Sequence, residues 1–362
     1  MQNHFQNVQA LRGVAAVMVV VVHAAALDQS FGLRTPVVRE FVWFGFAGVD
    51  LFFVLSGFII TATNLRNLGR PAAVPAYLFR RAWRIYPAYW AALGLAVVVI
   101  WALHGSGVFR QAPVAWSGWV LLLPTDAKNF FLGQAWTLSY ELMFYLAFAA
   151  LLVAPRRAAT PLLAAGGVVV VAAITRPEPA SPLGKLVVSP FVLEFLGGVA
   201  IAWLTVARGA RRGGTAAILA GVAWAAVGVV LAVRASPGVP YEGLMSGMRP
   251  RVMVFGPAAV LIVYGFVAAE GRWRVRRWLL RTGDASYSLY LTHSTVLSVG
   301  MVVGFLVPHN RTVHTLWLCG TLAAAVAFGF AFHAVVERPL LDLGKRKKPA
   351  ATEPAPAPRL AA

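Results

Sequence analysis

Arg12 and His23 are two ionisable residues whose spacing suits a single helix. Eleven positions separate them along an apolar run. That is about three helical turns, so both side chains are expected on one face of the helix, about 16 Å apart along its axis. With Arg12 at a membrane surface, His23 would be buried near the middle of a hydrocarbon layer about 30 Å thick. Ionisable groups at that depth usually face a bundle interior or a water-filled cavity and serve a function.

Two further ionisable residues are expected at the depth of His23. Glu141 lies fifteen residues from Arg156, and His293 lies twelve residues from Arg281. These separations correspond to about 22 and 18 Å along a helix, so the three groups suggest one polar chamber. A histidine can take a proton from a hydroxyl and return it, and a carboxylate can orient the ring or stabilise the imidazolium. We therefore predict His23, Glu141 and His293 as catalytic; alternatively, each is a hydrogen-bonding contact between helices.

Asp50 is a fourth ionisable residue within an apolar run. It belongs to the segment from Gly48 to Gly57, which reads GVDLFFVLSG, and it lies toward the outer end of the second run. Asp50 is predicted either to bind the acceptor substrate or to cap a helix. The remaining ionisable residues in apolar runs are more typical of structural contacts: Glu194, His314 and His333.

Three arginines, Arg80, Arg81 and Arg84, come directly before the third apolar run. In a helix, Arg84 is the i+3 neighbour of Arg81 and the i+4 neighbour of Arg80, so their guanidinium groups gather on one face. Guanidinium forks suit phosphate, and a cytoplasmic anion rich in phosphate is a nucleotide or coenzyme A. The cluster is predicted either to bind such a donor or to anchor the helix to lipid headgroups, and charge alone favours the anchor.

The composition identifies the elements that must position these residues. Hydrophobic residues make up 59% of the 362 residues and charged residues 12%, and the mean hydropathy is +0.71. Soluble domains have about a quarter of their residues charged, so the chain is predicted to be an integral membrane protein. The single cysteine, Cys319, excludes a disulfide framework and a multi-cysteine metal site, and no other metal site is predicted. The net charge of +19 does not indicate nucleic-acid binding, because no motif of such a module is present.

Ten apolar runs are long enough to be read as membrane-spanning helices, and together they predict an all-α polytopic bundle. The segment 116–124 is too short to cross and is predicted to be re-entrant or interfacial. The ten runs lie at about 9–27, 42–62, 85–104, 131–154, 160–175, 189–207, 215–233, 251–269, 284–305 and 314–336.

The loops between these runs alternate in positive charge. One set is rich in arginine and lysine, at 66–84, 156–157, 208–212, 272–281 and 338–348. The positive-inside rule places these loops, and both termini, in the cytoplasm. We predict a membrane domain over residues 1–343. The remaining residues, 344–362, form a tail that is first basic and then rich in proline and alanine, and this tail is predicted to be disordered.

Several segments in this order resemble the acyltransferase 3 family of integral membrane O-acyltransferases. The likeness covers nearly the whole chain up to about Leu343, and the opening NVQALRG and the segment GQAWTLSYELMFY are most similar to exopolysaccharide O-acetyltransferases. The segments are NVQALRG from Asn7, GVDLFFVLSGFII from Gly48, RAWRIYP from Arg81, WTLSYELMFY from Trp136, SYSLYLTH from Ser286 and VERP from Val336.

The resemblance implies a function for these residues. A cytoplasmic acyl-CoA, usually acetyl-CoA, would donate its acyl group to a hydroxyl acceptor in the membrane or on its outer side. Arg81 and Arg84 would hold the phosphates of the donor, with Arg12 helping at the mouth of the site, and His23 would be the principal catalytic residue. The expected acceptor is an envelope polysaccharide or a lipid-linked sugar, and the expected location is the bacterial cytoplasmic membrane, in contact with its lipids.

Two other functions remain open at this point. The same donor site would serve O-acylation of a small metabolite such as a macrolide. A transporter without chemistry also uses buried histidine and glutamate residues, in proton relays. The absence of a recognisable internal repeat and the arginine cluster at the mouth of a span argue against the transporter.

Overall fold

The computed structural model of the chain describes residues 5–32, 41, 44–105, 116–126, 130–176, 179–236, 247–308 and 310–346. These residues form helices and no strand, which confirms the predicted all-α class. Most of the tail predicted to be disordered lies outside the described residues. The helices are α1 (Gln6–Ser30), α2 (Ala47–Asn64), α3 (Val74–His104), α4 (Trp116–Leu121), α5 (Trp136–Val153), α6 (Ala159–Ile174), α7 (Pro182–Val187), α8 (Phe191–Ala202), α9 (Gly214–Ala235), α10 (Met248–Ala268), α11 (Arg277–Asp284), α12 (Ser286–Leu306), α13 (Arg311–Phe332) and α14 (Arg338–Arg346).

The helices confirm a multi-pass membrane protein. Within the described ranges, nine helical stretches are long and apolar enough to cross a membrane. The predicted span at 160–175 differs, because α6 has only 16 residues and a spanning helix needs about 20. Two π-helical turns extend the bundle, one after α8 at Trp203–Ala207 and one between α13 and α14 at His333–Glu337.

Helix α3 begins earlier than the predicted third span. Pro75 lies in its first turn, where a missing N–H costs nothing, so the arginine cluster is part of the helix itself. Arg81 and Arg84 are therefore rigidly spaced by slightly less than one turn. Because both residues lie within α3, their side chains are on neighbouring positions of one helix, as expected.

The short helix α4 is held against α3 by side chains of α3. The hydroxyl of Tyr86 donates to the carbonyl of Leu121 at 3.0 Å, and the indole of Trp90 donates to the carbonyl of Val120 at 2.9 Å. The hydroxyl of Tyr89 donates to the carbonyl of Trp119. These bonds satisfy carbonyls that a six-residue helix leaves free, as backbone at membrane depth requires.

Helix α1 lies among the helices that carry the site. It packs against α2, α10, α11, α12 and α13. Its crossing with α11 requires glycine, because a Cβ added at Gly13 would lie 2.7 Å from the backbone nitrogen of Gly283. Helices α2 and α8 cross in the same way, since a Cβ at Gly57 would lie 2.1 Å from the carbonyl oxygen of Phe195. Small residues thus bring the helices of Arg12 and Asp50 close to their neighbours.

Candidate active site

Three cavities lie in series through the bundle. The first, the vestibule, has a volume of about 1000 Å³ and opens among α1, α3 and α14. The second, the central cavity, has a volume of about 140 Å³ and shares Arg12 and Arg84 with the vestibule. The third, the histidine cavity, has a volume of about 600 Å³ and shares Val49 and Tyr290 with the central cavity. The shared residues connect the arginine cluster to His23.

His23 lines the histidine cavity. Its side chain is exposed to that cavity. The ring nitrogen Nδ1 lies 2.8 Å from the carbonyl oxygen of Val19. A carbonyl only accepts, so Nδ1 carries the proton and donates, which leaves Nε2 with its lone pair. This nitrogen has the form that a general base needs.

His293 lies beside His23. The ring centroids are 4.8 Å apart, so the structure brings these two predicted catalytic residues together. The His293 side chain is fully buried, and its Nδ1 lies 3.1 Å from the carbonyl oxygen of Leu289. Its Nε2 has no hydrogen-bond partner among the described residues. His293 therefore places a second neutral imidazole against the first.

Glu141 lines the central cavity rather than the histidine cavity. Its carboxylate accepts hydrogen bonds from Ser56, at 3.1 Å, and from Tyr145. The single polar chamber expected from sequence is thus divided into two cavities. Depth along a helix does not specify which way a side chain faces, and the direction in which Glu141 faces depends on the packing of α5.

Tyr290 lies where the central and histidine cavities meet. Its hydroxyl donates to the carbonyl of Gln134 at 2.8 Å and is also hydrogen-bonded to Thr137. The side-chain amide of Gln134 in turn donates to the carbonyl of Leu291 at 2.8 Å. These bonds fix α12 against the start of α5 and hold Tyr290 between the two cavities.

The predicted donor-binding arginines line two adjoining cavities. Arg12, Arg81 and Arg84 line the central cavity, and Arg80 joins Arg12 and Arg84 in the vestibule. Arg81 donates to the hydroxyl of Thr63 at 3.3 Å and lies over the rings of Tyr77 and Tyr145. A guanidinium group that lies over aromatic rings in this way can still donate its N–H groups to an anion.

Glu337 is a partner of Arg84 that the sequence analysis did not single out. The Arg84 guanidinium donates to its carboxylate at 2.8 Å, and Ser288 and His333 donate to the second carboxylate oxygen at 2.6 and 2.8 Å. Glu337 is completely buried. Its signals in the sequence were its place in the segment VERP and its position as an acidic residue at the end of an apolar run. His333, expected to be structural, supports this carboxylate.

Asp50 is completely buried and lines none of the three cavities. Its Oδ2 accepts from Nε and from a terminal nitrogen of Arg251, each at 2.9 Å. Arg251 also donates to the carbonyl of Phe46 at 2.8 Å and lines the histidine cavity. Glu194 is also buried, and neither of its carboxylate oxygens makes a hydrogen bond with a described residue. The structure therefore places Arg251, which the sequence analysis missed, between Asp50 and the cavity.

No group of three or more potential ligands arranged for a metal ion was found in the described part of the chain. The arrangement offers instead a histidine base in one cavity, and arginines in the two cavities that lead to it. It can deprotonate a hydroxyl at one end while binding a phosphorylated molecule at the other.

Comparisons with known proteins give the family. A family model described as an acyltransferase domain, Acyl_transf_3, matches residues 5–334. The chain is 31% identical to the exopolysaccharide production protein ExoZ of Rhizobium meliloti (strain 1021), over 84% of this chain and 92% of that protein. It is 27% identical to acyltransferase MdmB of Streptomyces mycarofaciens, over 96% of this chain and 94% of that protein.

A third relative is the putative membrane-bound transacylase BcsY of Komagataeibacter xylinus, at 27% identity over 97% of this chain and 86% of that protein. No solved structure matches the chain significantly. The family match covers most of the chain and leaves no support for a transporter without chemistry. The protein is an acyltransferase and belongs to the acyltransferase 3 family.

Proposed function

We propose that this acyltransferase moves an acyl group, in the first place acetyl, from cytoplasmic acyl-CoA to a hydroxyl of an envelope polysaccharide or a lipid-linked sugar. The observation that carries the proposal is the series of three cavities, because it joins an arginine-lined entrance to a histidine base. A donor with phosphates at one end and a thioester at the other matches this order. The bacterial cytoplasmic membrane is the proposed location.

The vestibule has the charge that a coenzyme A nucleotide requires. Five cationic side chains and two carboxylates line it, so the balance of charge is positive. Guanidinium groups bind phosphate through two parallel hydrogen bonds, which favours the arginines as the main contacts. The stacked pair Phe79 and Trp83, with ring centroids 5.6 Å apart, adds an aromatic surface for a nucleobase. The cationic side chains are Arg12, Arg80, Arg84, Arg338 and Lys345.

The central cavity suits the narrow part of the donor. At about 140 Å³ it is much smaller than the cavities on either side, and its walls include Phe52, Phe53 and Ile60. A slender chain ending in a thioester could pass here toward Tyr290 and the histidine cavity beyond. Glu141 and Tyr145 line the same passage and are proposed to position the donor.

His23 is the proposed general base. Its Nε2 takes the proton of the acceptor hydroxyl, the oxygen forms a bond to the acyl carbon, and the carbon–sulfur bond of the thioester breaks. The proton on Nε2 then passes to the leaving thiolate, which leaves the histidine neutral for the next cycle. The bond from Nδ1 to the Val19 carbonyl holds the ring in the tautomer that this cycle needs. We favour direct transfer over a covalent acyl-histidine intermediate.

The proposed orientation of the protein in the membrane follows from the charge of its loops. Placing the arginine-rich loops and both termini in the cytoplasm puts the vestibule on the side where acyl-CoA is made. The histidine cavity then faces the outer half of the membrane, where an envelope sugar would arrive. The relative named for exopolysaccharide production supports an acceptor of this class.

The proposal is tested with purified protein in liposomes supplied with labelled acetyl-CoA and saccharide acceptors. Release of free CoA should depend on the acceptor, and mass analysis of the saccharide should show an added acetyl group. Comparison of surface glycans from cells with and without the protein identifies the natural acceptor. A protein that binds acetyl-CoA but transfers acetyl to a macrolide and to no saccharide would favour the small-metabolite alternative.

A further inference from the structure

We infer that the histidine cavity binds a neutral pyranose residue of the acceptor, with the sugar ring against Trp136 and its hydroxyls at the Asp126–Lys185 ion pair. This inference rests on the proposed function and adds the binding site and charge class of the acceptor. Three observations carry it: the shape and walls of the cavity, the pairing of its charges, and the segments that form its rim.

The walls of the histidine cavity combine aromatic and polar side chains. Its volume of about 600 Å³ is in the range of small-molecule sites. Trp136 lines it and is partly buried, held by an edge contact to Tyr140 at 5.6 Å and a tilted contact to Phe191 at 5.7 Å between ring centroids. A fixed indole presents a flat apolar surface, and the C–H face of a pyranose ring is the complementary shape.

The charges that line this cavity are paired. Among the residues that the structure describes, the charged side chains lining it besides His23 are Asp126, Lys185 and Arg251. Lys185 donates to Asp126 at 3.0 Å, and Arg251 is bound to Asp50 at 2.9 Å. An acceptor that carries a carboxylate or phosphate would have to displace Asp126 or Asp50 from the cation to which each is bound. A neutral, hydroxyl-rich molecule needs no such exchange.

The contrast with the vestibule strengthens this assignment. There, five cationic side chains meet three carboxylates when the partner of Arg84, Glu337, is counted as Asp50 is counted for Arg251, so two cations remain in excess, as a phosphorylated donor requires. The charge of the lining residues thus changes along the series. Cations are in excess in the vestibule, whereas the described cations of the histidine cavity are paired with carboxylates. An anionic acceptor would be drawn to the wrong end of the series, whereas a neutral sugar is not.

Two short segments form the part of the rim of the histidine cavity that the structure describes. Pro124, Thr125 and Asp126 follow α4, and Pro182, Lys185 and Leu186 belong to α7; all six line the cavity. The Asp126–Lys185 pair joins the two segments, and both side chains remain partly exposed, at 43% and 32%. A carboxylate that accepts and an ammonium that donates can therefore also bind sugar hydroxyls at the rim.

The shared cavity links this site to the reaction. His23, Trp136 and the rim pair line one space, so a ring held at Trp136 presents one of its hydroxyls to Nε2 of His23. Which hydroxyl is acylated then depends on the position of the ring. Trp136 is accordingly assigned to acceptor binding, and the rim pair to acceptor selection.

The first test changes the aromatic wall. Trp136→Leu keeps an apolar side chain but removes the flat surface, and it should raise the KM for neutral pentasaccharides of glucose, galactose or mannose at least 10-fold. The KM for acetyl-CoA should not change, and Trp136→Phe should retain most of the acceptor affinity. Trp224→Leu is the matched control, because Trp224 is 50% exposed on α9 and lines none of the three cavities.

The second test changes the rim charge. Asp126→Asn leaves Lys185 without its carboxylate, so the KM for pentagalacturonate should fall at least threefold relative to wild type. Lys185→Gln should not produce this gain, since it leaves the negative partner. Equal responses of the two variants would overturn the assignment of the pair to acceptor selection.

A third measurement does not depend on Trp136 variants being stable. Thr125→Cys at the rim, in a Cys319→Ala background that removes the one native thiol, can be modified with a maleimide. A neutral pentasaccharide should slow this modification several-fold, and pentagalacturonate should not.

The outcomes separate the two proposals. A wild-type protein that acetylates none of the saccharides contradicts the proposed function, before any variant is compared. A wild-type protein that acetylates pentagalacturonate better than every neutral pentasaccharide overturns the neutral site while leaving the function intact. Unchanged acceptor KM in a stable Trp136→Leu protein, or modification of Thr125→Cys that no neutral saccharide slows, overturns the site as well.

Discussion

The imidazole rings of His23 and His293 lie 4.8 Å apart, on two helices that are far separated in the chain. Each Nδ1 donates to the carbonyl four residues earlier in its own helix, Val19 for His23 and Leu289 for His293. Both rings therefore keep an unprotonated Nε2. They differ in access to the histidine cavity, since His23 faces it and His293 is fully buried. We therefore expect His23 to act as the base and His293 to support it.

His23→Ala should insert and fold but lose about 100-fold or more in kcat, the usual contribution of a positioned general base. His23→Asn keeps a donor for the Val19 carbonyl but cannot accept the proton, so it should be nearly as inactive. The measurement is acetyl transfer by purified protein, with thermal stability followed in parallel. Near-normal transfer by a stable His23→Asn protein would make this histidine structural.

His293→Phe should lower kcat by a smaller factor than His23→Ala, because it preserves a buried ring beside His23 but removes the Nε2 lone pair that can stabilise an imidazolium. The KM for acetyl-CoA should stay unchanged, since His293 lines neither the vestibule nor the central cavity. A loss in His293→Phe that exceeds the loss in His23→Ala would transfer the role of base to His293.

Arg81→Ala and Arg84→Ala should each weaken acetyl-CoA binding, because a charge-assisted hydrogen bond contributes about 1.5–3 kcal/mol. Lysine at either position should rescue only part of the affinity, since an ammonium lacks the planar fork. Calorimetric titration with acetyl-CoA gives the affinity. Unchanged affinity in correctly inserted variants would leave the cluster as a topological anchor.

Glu337→Gln tests how Arg84 is positioned. Removing one partner of a buried ion pair costs about 3–5 kcal/mol, and here the carboxylate also serves Ser288 and His333. We expect a clear loss of thermal stability and a raised KM for acetyl-CoA. Asp342→Asn, which breaks the exposed pair with Lys345, is the matched stability control and should change the Tm little.

The carboxyl of Glu270 is predicted to make the stability of the folded protein depend on pH. Burial raises the pKa of its carboxyl, although the backbone N–H groups of Asn7 and Gln6, which donate to it at the start of α1, oppose this shift. A raised pKa means that the folded state binds the proton more readily, so this contribution to stability is present at low pH and is lost as the pH rises through the folded pKa.

Glu270→Gln removes that titration. The difference in Tm, variant minus wild type, should therefore become more positive between about pH 4 and pH 7, measured by differential scanning fluorimetry in detergent. A difference that falls over this interval would contradict the sign of the shift.

Single cysteines test the orientation, in a Cys319→Ala background. A cysteine at Arg70, which is exposed before α3, should be protected from an impermeant maleimide added outside the cell. A cysteine at Ala235, at the end of α9, should react. The reverse result would overturn both the orientation and the cytoplasmic donor site.

The arginine cluster and the histidine show how far the sequence reaches into the site. Helical spacing alone predicted that Arg81 and Arg84 share a face, and the structure places both at the central cavity. Depth along a helix predicted that His23 and His293 lie at one level, and their rings are in contact. The same estimate grouped Glu141 with them, yet it lies in the adjoining cavity, because depth carries no information about the direction in which a side chain faces.

The sequence by itself determined the all-α membrane class, most of the spans, the arginine cluster and the family resemblance, because hydropathy and the helical repeat are local properties of the chain. Only the tertiary structure decided which residues meet. Asp50 pairs with Arg251 across 201 positions, and Arg84 pairs with Glu337 across 253. The cavities, and the exposure of His23 to one of them, arise from the packing of helices that no local pattern specifies.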